Sequence, residues 1–182
     1  MKETKIKDLT FELFIPENQI NDRLMVLAKE ITLDFQGEDL ILLGILNGSF
    51  IVMADLVRQI DLSVSCEFIK ISSYKGTETT GTVKSLLGLS LDLSGKNVLI
   101  VEDIVDTGLT LSWLKANLES RGAADVKILT ILRKPEAAKV EVDVKYVGFD
   151  IPKDFVVGYG LDFDEKYRNL SFIGVLAKHM YE

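Results

Sequence analysis

The chain has 182 residues, 47% of them apolar and 27% charged, which is enough for a single globular domain with a full hydrophobic core. Twenty-one basic against 28 acidic residues give a net charge of −7, which argues against a nucleic-acid partner, because phosphate-backbone contacts demand a basic face. There is no apolar run of the roughly 18 residues that a membrane span needs, and the single cysteine, Cys66, has no internal partner, which fits a reducing cytoplasm.

The opening residues "MKETKIKDLTFELFIPE" lack the apolar core and cleavage site of a secretory signal, so no leader is expected. From Glu17 to Gly37, Ile20, Leu24, Leu27, Ala28 and Ile31 recur at helical spacing, and Gly37 is a stop signal. "LILLGIL" (Leu40 to Leu46) is a continuous apolar run, as expected of a strand covered on both faces. Helical spacing returns from Ser49 to Ile60 through Phe50, Met53, Ala54 and Val57, and "VSCEFIKIS" (Val64 to Ser72) alternates as a strand. The polar stretch Ser73 to Thr82 reads as a hairpin loop or as a lid over a site, before "VKSLLGLSL" (Val83 to Leu91) resumes as a strand.

A short buried strand is predicted at Val98 to Val101, then a helix ending at Gly122, then a strand at Val126 to Leu132. Shorter strands are predicted within residues 144–151, 155–160 and 172–178. Strands alternating with helices predict an α/β fold, a mostly parallel central sheet flanked by helices and joined by right-handed crossovers. Ligands of such sheets bind outside the carboxyl ends of the strands.

One such end is "VLIVEDIVDTGLTL" (Val98 to Leu111), where Glu102, Asp103 and Asp106 fall within five positions. Asp106 could simply cap the following helix, but three clustered carboxylates repel and call for a cationic or hydroxyl-rich ligand. Neither G-x-x-x-x-G-K-[ST] nor G-x-G-x-x-G occurs. A receiver domain would share an acidic cluster and the Lys-Pro of "RKP" (Arg133 to Pro135), but its acids would be divided between separate strand ends.

The whole stretch resembles the phosphoribosyl pyrophosphate signature of the type I phosphoribosyltransferases: four hydrophobic residues, two acids, two hydrophobic residues, then D-T-G-x-T. "LNGSF" (Leu46 to Phe50), "SSY" (Ser72 to Tyr74), "RKP" and "DFVVGYGLDFDEKYRNL" (Asp154 to Leu170) follow in the order of the hypoxanthine-guanine branch, over about residues 10–178. The resemblance implies one domain, with a core over about residues 37–150 and a small hood built from about residues 1–16 and 151–182.

It also implies purine salvage: phosphoribosyl pyrophosphate and a 6-oxopurine as partners, Mg²⁺ as cofactor, and a homodimer or homotetramer as the assembly. Asp106, Thr107, Gly108, Leu109 and Thr110 would hold the 5-phosphate. Glu102 and Asp103 would serve the ribose hydroxyls and the metal, and Asp106 would act as the catalytic base at purine N7. Lys134 would donate to the 6-oxo group, Phe155 would stack on the ring, and the Val156 carbonyl would face the 2-position. Asn47, Gly48 and Arg168 would bind pyrophosphate, with Asp162 as a further metal contact and Ser73 and Tyr74 on the lid.

In the family the loop of Asn47 and Gly48 can hold a cis peptide that is not X-Pro. Many members of the family have Lys or Arg where this chain has Asn47, which removes a positive charge. Two other readings of the resemblance are a phosphoribosyl pyrophosphate-sensing regulator and a xanthine-preferring sister enzyme. His179, the only histidine, lies outside every motif.

Overall fold

Leu40–Leu46 has no polar side chain to offer to water, so it can only be a strand inside a sheet with cover on both faces. The computed structural model describes residues 3–6, 9–73, 83–85 and 92–181, and it builds the sheet around that strand. In chain order the first elements are β1 (Glu3–Ile6), β2 (Leu9–Ile15), α1 (Glu17–Asp34), β3 (Leu40–Leu46), α2 (Phe50–Val57) and β4 (Val64–Ser73). Then come β5 (Val83–Ser85), β6 (Asn97–Val105), α3 (Leu109–Ser120), β7 (Asp125–Arg133), β8 (Tyr146–Asp150), β9 (Val156–Val157) and β10 (Ile173–Leu176).

The main sheet has the order β5-β4-β3-β6-β7-β8. Its five long strands are parallel, and β5 is an antiparallel edge. Successive side chains point to opposite faces. Leu40, Leu42, Leu99, Val101, Leu129 and Ile131 therefore pack with α1 and α2, while Ile41, Leu43, Val98, Ile100, Val126 and Ile128 pack with α3. On α1 the buried residues are Ile20, Leu24, Leu27, Ala28 and Ile31, as the spacing predicts. Each fully buried Leu or Ile contributes about 1.5–3 kcal/mol. A second sheet, β1-β2-β10-β9, combines the two ends of the chain as the hood, with Phe11, Val157 and Leu176 at its centre.

The strand order reverses between β3 and β6. β3 pairs with β6 only as far as Gly44↔Val101, but stays with β4 to Leu46↔Lys70. β6 stays with β7 to Val105↔Arg133. Past Val101 the two central strands diverge and open a crevice at the carboxyl end of the sheet, where open α/β sheets bind ligands.

Several predicted elements differ in extent, among them the helix predicted from Ser49 to Ile60, which is observed over Phe50–Val57. The strand predicted to stop at Val101 continues to Val105, so Glu102 and Asp103 lie on it. The helix predicted to reach Gly37 ends at Asp34, and Gly37 closes the following turn at φ +81°. The strand predicted over residues 155–160 is only Val156–Val157, because Gly158, Tyr159 and Gly160 all turn to positive φ. Of the strand predicted from Val83 to Leu91, Val83–Ser85 is described and the remainder lies outside the described residues.

Candidate active site

The crevice holds a cavity of about 300 Å³. From the β3 side it is lined by Asn47 and Gly48, and from the β6 side by Glu102, Asp103, Asp106, Thr107, Gly108 and Thr110. The cavity thus gathers eight of the predicted site residues. Leu109, the first residue of α3, is exposed beside it. The Leu46–Asn47 peptide at its rim is cis, in the loop where the family can hold one.

The two strand carboxyls are held under stress. Burial, and then the neighbouring Asp103, push the Glu102 carboxyl well above the usual range. Its Oε2 is buried without a hydrogen-bond partner. Burial pushes Asp103 up to about 6, against the pull of backbone amides and of Arg168. Asp103 Oδ1 accepts from the Ile104 N–H at 2.8 Å, and its Oδ2 lies where a Cβ on Gly48 would fall, 1.5 Å away. Any side chain at position 48 would have to displace the Asp103 carboxylate. A buried orphan oxygen beside a second acid is a site waiting for a donor or a cation.

Beyond β6 the chain forms the loop Asp106–Gly108 and enters α3. Gly108, at φ +78°, is the N-cap, and no side chain caps the helix, so Asp106 is not a helix cap. It is exposed at the cavity wall instead. A Cβ on Gly108 would lie 2.5 Å from the Val140 carbonyl oxygen, while the Thr107 carbonyl accepts from the Lys139 and Val140 amides. The loop is therefore clamped from behind, and the unpaired amides of the first turn of α3 remain available to an anion.

Lys134 follows β7 directly. Its backbone N–H donates to the Val105 carbonyl at 2.9 Å, which brings it beside Asp106. The two line an adjoining cavity of about 290 Å³. The hood contributes Phe155, half-exposed, and Val156, buried on β9. Phe155 meets Phe163 edge-on at 6.0 Å and stacks on Tyr181 at 5.3 Å. Tyr181 was not singled out from the sequence, since nothing local marks a residue 26 positions downstream as its neighbour.

Arg168 donates from Nη1 to the Gly160 carbonyl and pairs through Nη2 with Asp162 Oδ1, both at 2.8 Å. Gly160 rests on the β3–α2 loop, since a Cβ there would lie 2.1 Å from the Gly48 oxygen. Asp103 feels both charges, with Arg168 lowering its pKa and Asp162 raising it. Phe155, Val156, Asp162 and Arg168 line neither cavity, and of these Arg168 and Asp162 are felt at the site through Asp103.

Among the described residues, no three His, Cys, Asp or Glu side chains converge on one point. Glu102, Asp103 and Asp162 nevertheless offer the hard oxygens Mg²⁺ prefers, and that ion typically takes one or two carboxylates, with substrate oxygens and water completing its shell. Ser73 ends β4, and its backbone pairs with Val83. Tyr74 and the rest of the predicted lid lie outside the described residues. No helix among the described residues is long and apolar enough to cross a membrane.

Comparison with known proteins agrees with this geometry. The phosphoribosyl transferase domain model matches residues 16–164. The chain is 45% identical over 177 residues to a hypoxanthine-guanine phosphoribosyltransferase of Mycobacterium tuberculosis, covering 93% of this chain and 88% of the relative. It is 42% identical over 182 residues to one from Lactococcus lactis, covering 100% and 99%. The crystal structure of a hypoxanthine phosphoribosyltransferase from Staphylococcus aureus superposes with a TM-score of 0.90 at 43% identity over 94% of each chain. The chain belongs to the phosphoribosyltransferase family, and within it to the hypoxanthine-guanine phosphoribosyltransferases.

Proposed function

We propose that the chain transfers the 5-phosphoribosyl group of phosphoribosyl pyrophosphate to hypoxanthine or guanine, releasing pyrophosphate and forming IMP or GMP. The observation that carries this reading is the union, in one crevice cavity, of the Glu102–Asp103 pair with the clamped anion loop at residues 106–110.

In this reading the loop amides and the hydroxyls of Thr107 and Thr110 hold the 5-phosphate, and Gly108 lets the backbone approach it. Glu102 and Asp103 accept from the ribose hydroxyls and stabilise positive charge growing on the ring as the bond from C1 to pyrophosphate breaks. Purine N9 closes on C1, and Asp106 takes the proton that N7 gives up.

Lys134 donates to the 6-oxo group, and adenine, which presents an amino group there, is rejected. Phe155 stacks on the base, and the Val156 carbonyl accepts from the 2-amino group of guanine. Arg168 and the amides of Asn47 and Gly48 hold pyrophosphate. Glu102, Asp103 and Asp162 are the oxygens that would hold Mg²⁺, which when bound would supply positive charge toward the pyrophosphate.

Ser73 and Tyr74 are assigned to covering the reaction centre, where exclusion of water protects the ribosyl cation from hydrolysis. We assign the reaction to the cytoplasm, in keeping with the lone Cys66. The exposed side chains of Met25, Val26, Leu33, Phe50 and Phe68 supply apolar surface that a homodimer or homotetramer would cover.

The test is incubation with phosphoribosyl pyrophosphate, Mg²⁺ and, separately, hypoxanthine, guanine, xanthine and adenine, following nucleotide formation. Turnover is expected with the first two. Absence of turnover with every base refutes the reading, and efficient use of adenine refutes the role of Lys134.

A further inference from the structure

The hood turn that carries Asp162 and Arg168 has an unusual backbone. Tyr159, Asp164, Glu165 and Tyr167 lie at φ between 50° and 69°, in the left-handed region that side chains with a Cβ rarely adopt. Such residues persist only where the surroundings over-determine them. Within the turn, the Tyr159 N–H donates to the Leu170 carbonyl and the Gly160 N–H to the Arg168 carbonyl, both at 2.9 Å. These bonds hold the turn to itself and say nothing of its height above the core.

Beyond the packing of the Tyr159 ring and Leu161 into the main core, two contacts among the described residues tie it to the β3–α2 region. Gly160 rests on the Gly48 oxygen, and the Tyr159 hydroxyl donates to Asp55 Oδ2 at 2.8 Å, across 104 residues of sequence. Asp55 sits on α2, the helix that grows out of the Asn47–Gly48 loop, and Tyr159 is only 3% exposed. The Asp55 carboxylate also pairs with Arg58 on the open side of the helix. One hydrogen bond therefore ties the segment holding Arg168 and Asp162 to the helix that begins at the opposing loop.

We infer that Tyr159 and Asp55 are a positioning pair, which sets the spacing between the Arg168–Asp162 turn and the Asn47–Gly48 loop at the pyrophosphate end of the site. This deepens the transferase reading and rests on it. Neither residue touches substrate. Losing the bond lets the turn ride away from Gly48, which weakens contacts to pyrophosphate and leaves the base end, built by Lys134 and Asp106, in place.

The test is steady-state kinetics on Tyr159→Phe, which keeps the buried ring and removes only the hydroxyl. The KM for phosphoribosyl pyrophosphate, and for pyrophosphate in the reverse direction, should rise about tenfold, the scale of one hydrogen bond to a charged group. The KM for hypoxanthine should stay within about twofold. Asp55→Ala should reproduce the change from the solvent side of α2, and serves as the test if Tyr159→Phe does not fold. Asp55→Asn, whose amide oxygen still accepts, should restore most of it, and Arg58→Ala should leave both KM values unchanged. The double variant Tyr159→Phe/Asp55→Ala should be no worse than either single change.

An unchanged KM for phosphoribosyl pyrophosphate, an equal rise for both substrates, or additive losses in the double variant would overturn the pairing. Absence of turnover in the unmodified protein would overturn the transferase reading itself, and the inference with it.

Discussion

The Asp103 carboxylate stands in the space that any side chain at residue 48 would need: a Cβ on Gly48 would lie 1.5 Å from Asp103 Oδ2. β3 and β6 no longer pair at this level, so the glycine and the acid meet across the open crevice. Gly48→Ala should displace the carboxylate and the loop amides together. We expect kcat/KM for phosphoribosyl pyrophosphate to fall about 10²-fold, the scale of a 1 Å misplacement in an active site. Initial rates with each substrate varied in turn check this, and near-normal kcat/KM would show that the carboxylate has another place to go.

Asp106 lines both cavities and caps nothing. Asp106→Asn keeps its size and removes its basicity. Turnover should fall about 10²- to 10⁴-fold while both substrates still bind. Single-turnover kinetics separates the two effects, and turnover within a few-fold of the parent would end the assignment of Asp106 as base.

Phe155 offers one ring face to Tyr181 and remains 38% exposed, which leaves surface for a planar base. Stacking of a base on an aromatic side chain is worth about 1–3 kcal/mol by alanine substitution. Phe155→Ala should therefore raise the KM for hypoxanthine by about 5- to 100-fold, with little change for phosphoribosyl pyrophosphate. Equal change in both would make the ring a packing element of the hood.

The Asp103 carboxyl titrates near 6 in the folded chain, above its ordinary 3.8. The folded state binds that proton more tightly, so its contribution to stability is fully present below about pH 4 and lost as pH rises through about 6. Above that range an ionised Asp103 lies buried beside Glu102, at a cost of up to about 3 kcal/mol. Ligand-free Asp103→Asn should thus melt higher than the parent at pH 8, and the gap should close toward pH 4. Calorimetry at the two pH values decides it, and a gap independent of pH would remove the electrostatic explanation.

The sugar and phosphate end of the site is readable from the sequence because it is contiguous: Glu102 to Thr110 follow one another along a strand, a loop and a helix start. The apolar runs of β3 and β7 and the spacing on α1 are equally local signals. The extension of β6 through Glu102 and Asp103 is not, since carboxylates are poor strand formers and only pairing with β7 holds them there. The left-handed residues at 159, 164, 165 and 167 carry no mark in their side chains either, because the hood around them sets their backbone. The meeting of Gly48 with Asp103, 55 positions away, belongs to the topology, and no local pattern encodes it.

The crevice between β3 and β6 also divides the labour of the chain. On the proposed reading, the grip on the ribose and its 5-phosphate is written in nine consecutive residues, from the end of β6 into α3. The stacking face for the base and the arginine for the leaving group arrive from a hood more than 40 residues further on. Two such separately encoded walls can diverge at different speeds. Drift around Phe155 and Val156 would retune which base is accepted and leave the grip on the ribose and its 5-phosphate untouched, so new base preferences are accessible to this scaffold by changes far from the acidic strand.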